Sequence, residues 1–235
     1  MYKKNHKKEF SKWASSYDNF ADIQKKVAKE LLDKIDNNPK RILDLGCGTG
    51  EIYKNISWKY DFFLGVECSN SMCELHPKTD KVDIVCSDFD SIFLEKRLNA
   101  YVPFDMIISS SSLQWSKDIS QIFNLCNRLS QKIAFSIFTD GTFKTIYSMT
   151  NRSSFLPNAK ILASKAKEIL SAKVEVRTYK LYFEDNISKF RYIKKSGIGG
   201  GVHMLAYTQA KHLLKYYPLK YLEFEVLFVW KNGKK

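Results

Sequence analysis

A regular alternation of short apolar strands with helices constrains the fold of this chain more than any other feature. The pattern predicts strands at residues 41–45, 62–66, 82–86, 104–109 and 132–138. Helices are predicted between them, most clearly over residues 51–60 and 119–129. Strands that are apolar along their whole length are typical of a parallel sheet that is covered on both faces. The sequence therefore predicts an α/β fold.

Helical sequence flanks this alternating core on both sides. Residues 1–38 have a helical pattern, with an apolar face over 21–35 and a stop at Asn37-Asn38-Pro39. After Asp140 the pattern predicts helices over 142–171 with a break at Pro157, a strand over 174–183, helices over 186–196 and 208–216, and a last strand over 221–230. With no internal repeat or linker, we expect one domain over 1–235, divided into an N-terminal helical cap (1–38), a ligand-binding core (40–140) and helical insertions with closing strands (141–235).

Composition narrows the class of protein. The 235 residues are 44% hydrophobic and 14% aromatic, as expected of a folded globular chain. No apolar run approaches the ~20 residues of a membrane helix, and the basic N-terminus lacks the apolar segment of a secretory signal. The five cysteines form no C-x-x-C pair. We therefore expect a cytoplasmic protein with reduced, mostly buried thiols.

A net charge of +13 is the strongest compositional signal. Such a charge attracts polyanions, which include nucleic acid, an anionic membrane surface and an acidic protein. The charge does not choose among them, and a lysine-rich solvated surface would account for it equally well.

A glycine-rich loop, Gly46-Cys47-Gly48-Thr49-Gly50, follows the first strand. A phosphate-binding P-loop would need lysine after the last glycine, and Glu51 stands there instead. A dinucleotide fingerprint would need glycine at that same position. The remaining interpretation is the G-x-G-x-G loop, and "ILDLGCGTG" resembles the signature of class I S-adenosylmethionine-dependent methyltransferases.

Acidic residues at the next two strand ends agree with this resemblance. Glu67 follows Gly46 by 21 positions and ends the second strand, where an acid can accept both ribose hydroxyls. Asp88 stands where the family has an acid for the adenine amino group, and the helix start after the loop offers amides to the methionine carboxylate. The resemblance implies S-adenosylmethionine as cofactor and S-adenosylhomocysteine as product, with no metal. The implied cofactor-binding residues are Tyr17, Gln24, Asp44, Gly46, Gly48, Gly50, Glu67, Cys68, Met72, Asp88, Phe89 and Ser110.

Four serines, Ser109 to Ser112, end the fourth strand in "DMIISSSSLQW". A serine hydrolase would need G-x-S-x-G and a suitably placed histidine, yet no glycine flanks these serines. The histidines, at positions 6, 76, 203 and 212, have no recognisable triad context. We therefore expect the serines to form the wall of a pocket, with no nucleophilic role.

The "SLQW" segment makes the resemblance more specific. It is similar to the Leu-Gln-Trp that follows strand four in the malonyl-acyl-carrier-protein O-methyltransferases of biotin synthesis (BioC-type). The N-terminal "FSKWASSYDNFADIQKKVAKEL" resembles that family's helical start, as "FSIFTDGTFKTIY", "YIKKSG" and "YYPLKYLEFEVLFV" resemble its later segments. Two departures are Ser110-Ser111-Ser112 in place of Asn-Leu-Ala and Glu67 where aspartate is commoner. The resemblance implies a doubly wound seven-stranded sheet, mostly parallel with an antiparallel last strand, N-terminal helices and a helical lid.

The family's activity is methyl transfer from S-adenosylmethionine to the free carboxylate of malonyl-acyl carrier protein, an early step of biotin synthesis. A carboxylate is already ionised at neutral pH, so in-line positioning suffices and no catalytic acid or base is expected. The substrate-binding candidates are Gln114, Trp115, Arg191, Lys194 and Lys195. The resemblance further implies an acidic acyl carrier protein as partner, no stable nucleic acid, no membrane, and a monomer.

Two alternatives stay open. One is a methyltransferase for another small molecule or RNA, although no Asn-Pro-Pro-Tyr type motif of base-modifying enzymes follows the fourth strand. The other is a nucleic-acid-binding protein that retains the fold without turnover. That protein would carry its basic residues in one continuous stripe with exposed aromatics.

Overall fold

A computed structural model describes residues 11, 14, 18–198 and 205–233. Its centre is a seven-stranded sheet in the order β3-β2-β1-β4-β5-β7-β6. The strands are β1 (Arg41–Leu45), β2 (Phe62–Glu67), β3 (Val82–Cys86), β4 (Met106–Ser110), β5 (Ile133–Phe138), β6 (Lys173–Tyr182) and β7 (Tyr221–Lys231). The helices are α1 (Asp22–Leu32), α2 (Glu51–Asn55), α3 (Asn70–Leu75), α4 (Leu94–Leu98), α5 (Ile119–Leu129), α6 (Lys144–Thr150), α7 (Ala159–Leu170), α8 (Asn186–Lys195) and α9 (Tyr207–Tyr216).

The strand pairing confirms the predicted sheet. β1 to β5 pair in parallel, whereas β7 lies antiparallel between β5 and β6. The chain reverses its direction of winding at β1, which pairs with β2 on one side and β4 on the other. In open sheets of this kind, ligands bind at the carboxyl ends of the strands beside such a reversal.

The central strands β1, β2, β4 and β5 are buried on both faces, which explains why they are apolar. Successive side chains of a strand point to opposite faces. Accordingly Ile42 packs in the core beneath α1, while Leu43 and Leu45 pack in the core beneath α5 and α7. α1 itself buries Val27 and Leu31 completely. The apolar face of α1, which repeats every 3.6 residues, therefore packs against one apolar face of the strands.

The helix predicted over residues 51–60 was wrong beyond Asn55. Ile56 is extended, with φ −66° and ψ 119°, and ends α2. Tyr60 then turns back so that its ring lies edge-on to Phe63, with ring centroids 6.4 Å apart. Aromatic packing on β2 therefore outweighs the helical preference of this segment.

The expectation of five reduced thiols was wrong for two of them. Cys73 on α3 forms a disulfide with Cys86 at the end of β3, and their Cα atoms are 6.4 Å apart. The pairing arises because Glu67 and Cys86 are neighbours across β2 and β3, and α3 begins three residues after Glu67. A spacing of 13 residues carries no sign of it. Cys47 and Cys126 are buried thiols.

Over the described ranges, no helix is both long enough and apolar enough to span a bilayer.

Candidate functional site

The glycine loop turns sharply at the carboxyl end of β1. The amides of Gly46 and Cys47 both donate to the carbonyl of Val66 on β2, at 2.7 and 3.1 Å. Gly46, Gly48 and Gly50 have φ values of +75°, +54° and +90°, in the left-handed region that favours glycine. The three glycines are therefore required by the backbone of the turn, and the loop leads directly into α2.

A cavity of about 50 Å³ opens against this loop. Its lining combines five of the predicted cofactor residues with others that the sequence did not single out. The predicted ones are Gln24, Asp44, Gly46, Gly48 and Ser110, and the others are Asp18, Ala21, Cys47, Thr49, Glu51, Ile52 and Ser111. The structure thus brings the N-terminal cap, the loop and the end of β4 to one site.

Asp44 is the most unusual group of this cavity. Its side chain is 1% exposed, and neither carboxylate oxygen has a hydrogen-bond partner among the described residues. Burial, together with the nearby charge of Glu67, raises the pKa of Asp44 to about 8. A buried carboxylate without a donor or counter-charge is costly. The cavity therefore suits a ligand that brings a cationic donor to Asp44.

Glu67 is buried at the end of β2, as predicted. Its carboxylate accepts the amide of Gly48 at 3.1 Å and that of Ser69 at 2.8 Å. Burial raises the pKa of Glu67, although these amides favour the charged form. Hydrogen bonds from Cys68 favour the charged form of this carboxylate as well.

The other predicted cofactor residues that the structure describes do not line the cavity. Met72 is buried on α3 near Gly48, and half-buried Cys68 follows Glu67. Asp88 is exposed after β3, where its Oδ1 accepts the amide of Asp90 at 2.9 Å. Phe89 packs on the core near Gly46. Gly50 turns beside His76 and Pro77, and Tyr17 lies outside the described residues.

The serine run is held by hydrogen bonds to the backbone and to other serines. Ser109 and Ser112 each donate to the carbonyl of Leu45 at 2.7 Å, tying the run to β1. The hydroxyls of Ser110 and Ser136 are 3.0 Å apart. Ser111 has φ +58° and lines the cavity with a buried hydroxyl. These contacts agree with the expectation of a pocket wall.

The Leu-Gln-Trp segment forms a short 3-10 turn, Leu113–Trp115, directly after the serines. Gln114 donates from Nε2 to the carbonyl of Ser111 at 2.6 Å. The Trp115 ring stacks on Phe155, with centroids 5.4 Å apart. Both substrate-binding candidates therefore lie next to the carboxyl end of β4.

The N-terminal cap is attached to the loop by a contact that sequence reasoning missed. Thr49 donates from Oγ1 to Asp18 at 2.7 Å, and Lys54 forms an ion pair with the same carboxylate at 3.1 Å. Burial opposes the ionisation of Asp18, but Thr49 and Lys54 outweigh it and hold its pKa below the usual value. The threonine inside the glycine loop was the available signal for this contact.

The three basic residues that were predicted to bind substrate lie at the end of α8. Arg191 and Lys194 are exposed, and Lys195 lies with its ammonium 4.5 Å from the centroid of the Phe20 ring. The same helix end approaches the cap, because Gln24 donates from Nε2 to the carbonyl of Ser196 at 2.8 Å. The three residues do not line the glycine-loop cavity. Their role in holding a substrate stays a prediction.

Over the part of the chain that the structure describes, no group of three or more His, Cys, Asp or Glu side chains is placed to hold a metal ion.

Part of this chain is similar to known methyltransferases. Residues 43–138 match the family described as "Methyltransferase domain". A structure from Anabaena variabilis, described as a methyltransferase of an antibiotic biosynthesis pathway, superposes with a TM-score of 0.59 at 12% identity, over 86% of this chain and 96% of the other. Haemonchus contortus phosphoethanolamine N-methyltransferase 2, solved with S-adenosylhomocysteine, has a TM-score of 0.53 at 16% identity, over 88% and 52%. Residues 43–138 are therefore similar to a methyltransferase domain, and the chain shares the fold of these two solved structures.

The curated proteins that are similar to this chain share one enzyme name. A malonyl-[acyl-carrier protein] O-methyltransferase of Priestia megaterium is 31% identical over 154 residues, which are 60% of this chain and 54% of the relative. The enzyme of the same name from Bacillus anthracis is 32% identical over 159 residues, which are 62% and 57% of the two chains. The matched region thus spans a little over half the length of these relatives.

Proposed function

We propose that this chain transfers a methyl group from S-adenosylmethionine to the free carboxylate of a malonyl group carried by an acyl carrier protein. The observation that carries the cofactor assignment is the buried carboxylate of Asp44 in the glycine-loop cavity. The methionine part of the cofactor has an ammonium group that would supply the missing charge and donors. The names of the curated relatives support the acceptor.

The residues at the site fit the rest of the cofactor. Glu67 would accept hydrogen bonds from the ribose hydroxyls, and Asp88 would accept one from the adenine amino group. The first amides of α2 would donate to the methionine carboxylate, although α2 is short. When bound, the cofactor supplies an electrophilic methyl group on a sulfonium. The chain supplies binding and alignment, and the cavity wall at Ser110 and Ser111 limits the approach of the acceptor.

An ionised acceptor needs no proton removal before transfer. The described residues around the cavity accordingly need only hold the acceptor oxygen in line with the methyl group. A malonyl carboxylate would be attracted by the basic surface, to which Arg191, Lys194 and Lys195 contribute. An acidic carrier protein would be steered toward the same surface by a chain of net charge +13.

Incubation with labelled S-adenosylmethionine tests the function directly. We expect label to transfer to malonyl-acyl carrier protein, and to a small malonyl thioester more slowly, but not to RNA. Transfer to the carrier protein should fall roughly tenfold between low and high salt, because screening over a Debye length of ~8–10 Å removes steering. Transfer to the small thioester should change little. Labelled RNA, with no labelled carrier protein, would contradict the proposal.

Calorimetry tests whether Glu67 and Asp88 bind the cofactor. Glu67→Ala and Asp88→Ala should each weaken binding of S-adenosylhomocysteine by about 1–3 kcal/mol, the usual range for a hydrogen bond to a charged group. Asp61→Ala provides a matched control, because Asp61 is an exposed acid at the opposite end of β2. Unchanged affinity in both site variants would exclude this placement of the adenosine.

A further inference from the structure

A second cavity, of about 240 Å³, adjoins the turn Leu113–Trp115 and shares no lining residue with the glycine-loop cavity. Its apolar wall comes from β5, from the first residues of α5 and α7, and from Phe155 and Pro157. The two cavities are neighbours, because Gln114 of the second donates to the backbone of Ser111, which lines the first. A ligand in the second cavity would therefore end beside the site of methyl transfer.

Gln114, which lines this second cavity, has an unpaired acceptor. Its side chain is 7% exposed. Its Nε2 donates to the carbonyl of Ser111, which assigns the other end of the amide as the acceptor. That Oε1 atom is buried and has no hydrogen-bond partner among the described residues. Buried acceptors of this kind are rare in folded proteins, so a ligand with an N–H donor is expected here.

Two lysines give the cavity a cationic side. Lys165 is half-buried, and its Nζ donates to the Ser120 hydroxyl at 2.9 Å. Lys117 is exposed, and its backbone amide donates a hydrogen bond to the carboxylate of Asp90 at 2.8 Å. Asp118 lines the cavity as well, but its carboxylate accepts from Ser120 and Gln121 at the start of α5. Two ammonium groups beside one engaged carboxylate favour an anion.

We propose that this cavity holds the phosphopantetheine arm of the acceptor thioester, an inference that rests on the proposed function. The arm carries amide N–H groups for Gln114 Oε1 and methylene groups for the apolar wall. Its phosphate pairs with Lys117 and Lys165. The thioester end then lies beside Ser111, so that the acyl carboxylate reaches the glycine-loop cavity.

Calorimetry with 4′-phosphopantetheine and with pantetheine, both in the presence of S-adenosylhomocysteine, tests the site without requiring turnover. The parent protein should bind the phosphorylated arm at least about tenfold more tightly. The double variant Lys117→Met/Lys165→Met should lose that preference while its affinity for pantetheine stays unchanged. Lys167→Met is the matched control, since this exposed lysine of α7 does not line the cavity. Unchanged binding of S-adenosylhomocysteine reports an intact fold.

The outcomes separate this inference from the proposed function. If the parent shows no preference for the phosphorylated arm, or the double variant keeps it, the inference is overturned even where malonyl thioesters are methylated. If the preference is present and lost in the double variant, the site is supported. Absence of methyl transfer to every malonyl thioester would then count against the proposed function alone.

Discussion

Replacing Asp44 by asparagine is expected to weaken S-adenosylhomocysteine binding at least 100-fold, because the ligand ammonium would lose its buried counter-charge. The parent's affinity should rise about tenfold or more between pH 6 and pH 8. Burial raises the pKa of Asp44 to about 8, so the free protein must release a proton there before it binds a cation. The variant should lack this pH dependence. Calorimetry in buffers of different ionisation enthalpy would detect the proton release.

The same substitution should change how stability depends on pH in the free protein. The pKa of Asp44 is raised on folding, so its favourable contribution is fully present below about pH 4 and is lost as the pH rises through about 8. Between pH 6 and pH 8 the parent should lose roughly 2 kcal/mol of unfolding free energy relative to Asp44→Asn. Asp61→Asn, which removes one exposed charge, is the control for urea unfolding. Equal pH profiles for parent and Asp44→Asn would contradict the assignment of an isolated buried carboxylate.

Gly46→Ala is expected to cost about 3 kcal/mol or more of unfolding free energy, whereas Gly48→Ala should cost about 1 kcal/mol. Both glycines have positive φ, so both variants are strained. At Gly46, however, an added Cβ would also collide with the side chain of Ser112, which donates to the carbonyl of Leu45. At Gly48 the nearest atom would be Met72 Sδ, at 4.0 Å. Urea denaturation of both variants measures the difference.

A second substitution separates the collision from the backbone strain. Ser112→Gly in the Gly46→Ala background should recover more than half of the lost unfolding free energy, because it removes the clashing atoms but leaves φ unchanged. Ser112→Gly in the parent protein is the comparison, since no Cβ at position 46 meets Ser112 there. An equal change in unfolding free energy in both backgrounds would show that the cost at Gly46 is backbone strain alone.

Much of the fold could be predicted from local patterns. β1 to β5 were predicted to within two residues, and for β1, β2, β4 and β5 the reason is that a strand buried on both faces must be apolar throughout. The position of the glycine loop at the carboxyl end of β1 was also predictable, since left-handed φ values at three alternate positions favour glycine. The end of α2 was not, because the rings of Tyr53 and Tyr60 pack on Phe63, and that contact exists only once β2 is in place.

Contacts between distant segments could not be predicted from the sequence either, because they exist only once the elements have packed together. The Cys73–Cys86 disulfide, the hydrogen bond from Thr49 to Asp18 and the position of β7 between β5 and β6 depend on how elements pack. None of them leaves a local periodicity. The adjoining second cavity belongs to this group too, because β5, α5, α7 and the Leu113–Trp115 turn meet there only after folding.

The sequence by itself determined the class of fold, the glycine turn and the chemical types of the side chains at its edge. Only the tertiary structure decided how deeply these side chains are buried and which hydrogen-bond donors they receive. Asp44 and Glu67 are both acids at strand ends, yet Glu67 receives two backbone amides whereas Asp44 receives no donor among the described residues. Charge and affinity depend on burial and on the donors within reach, and both are set by residues far away in the chain.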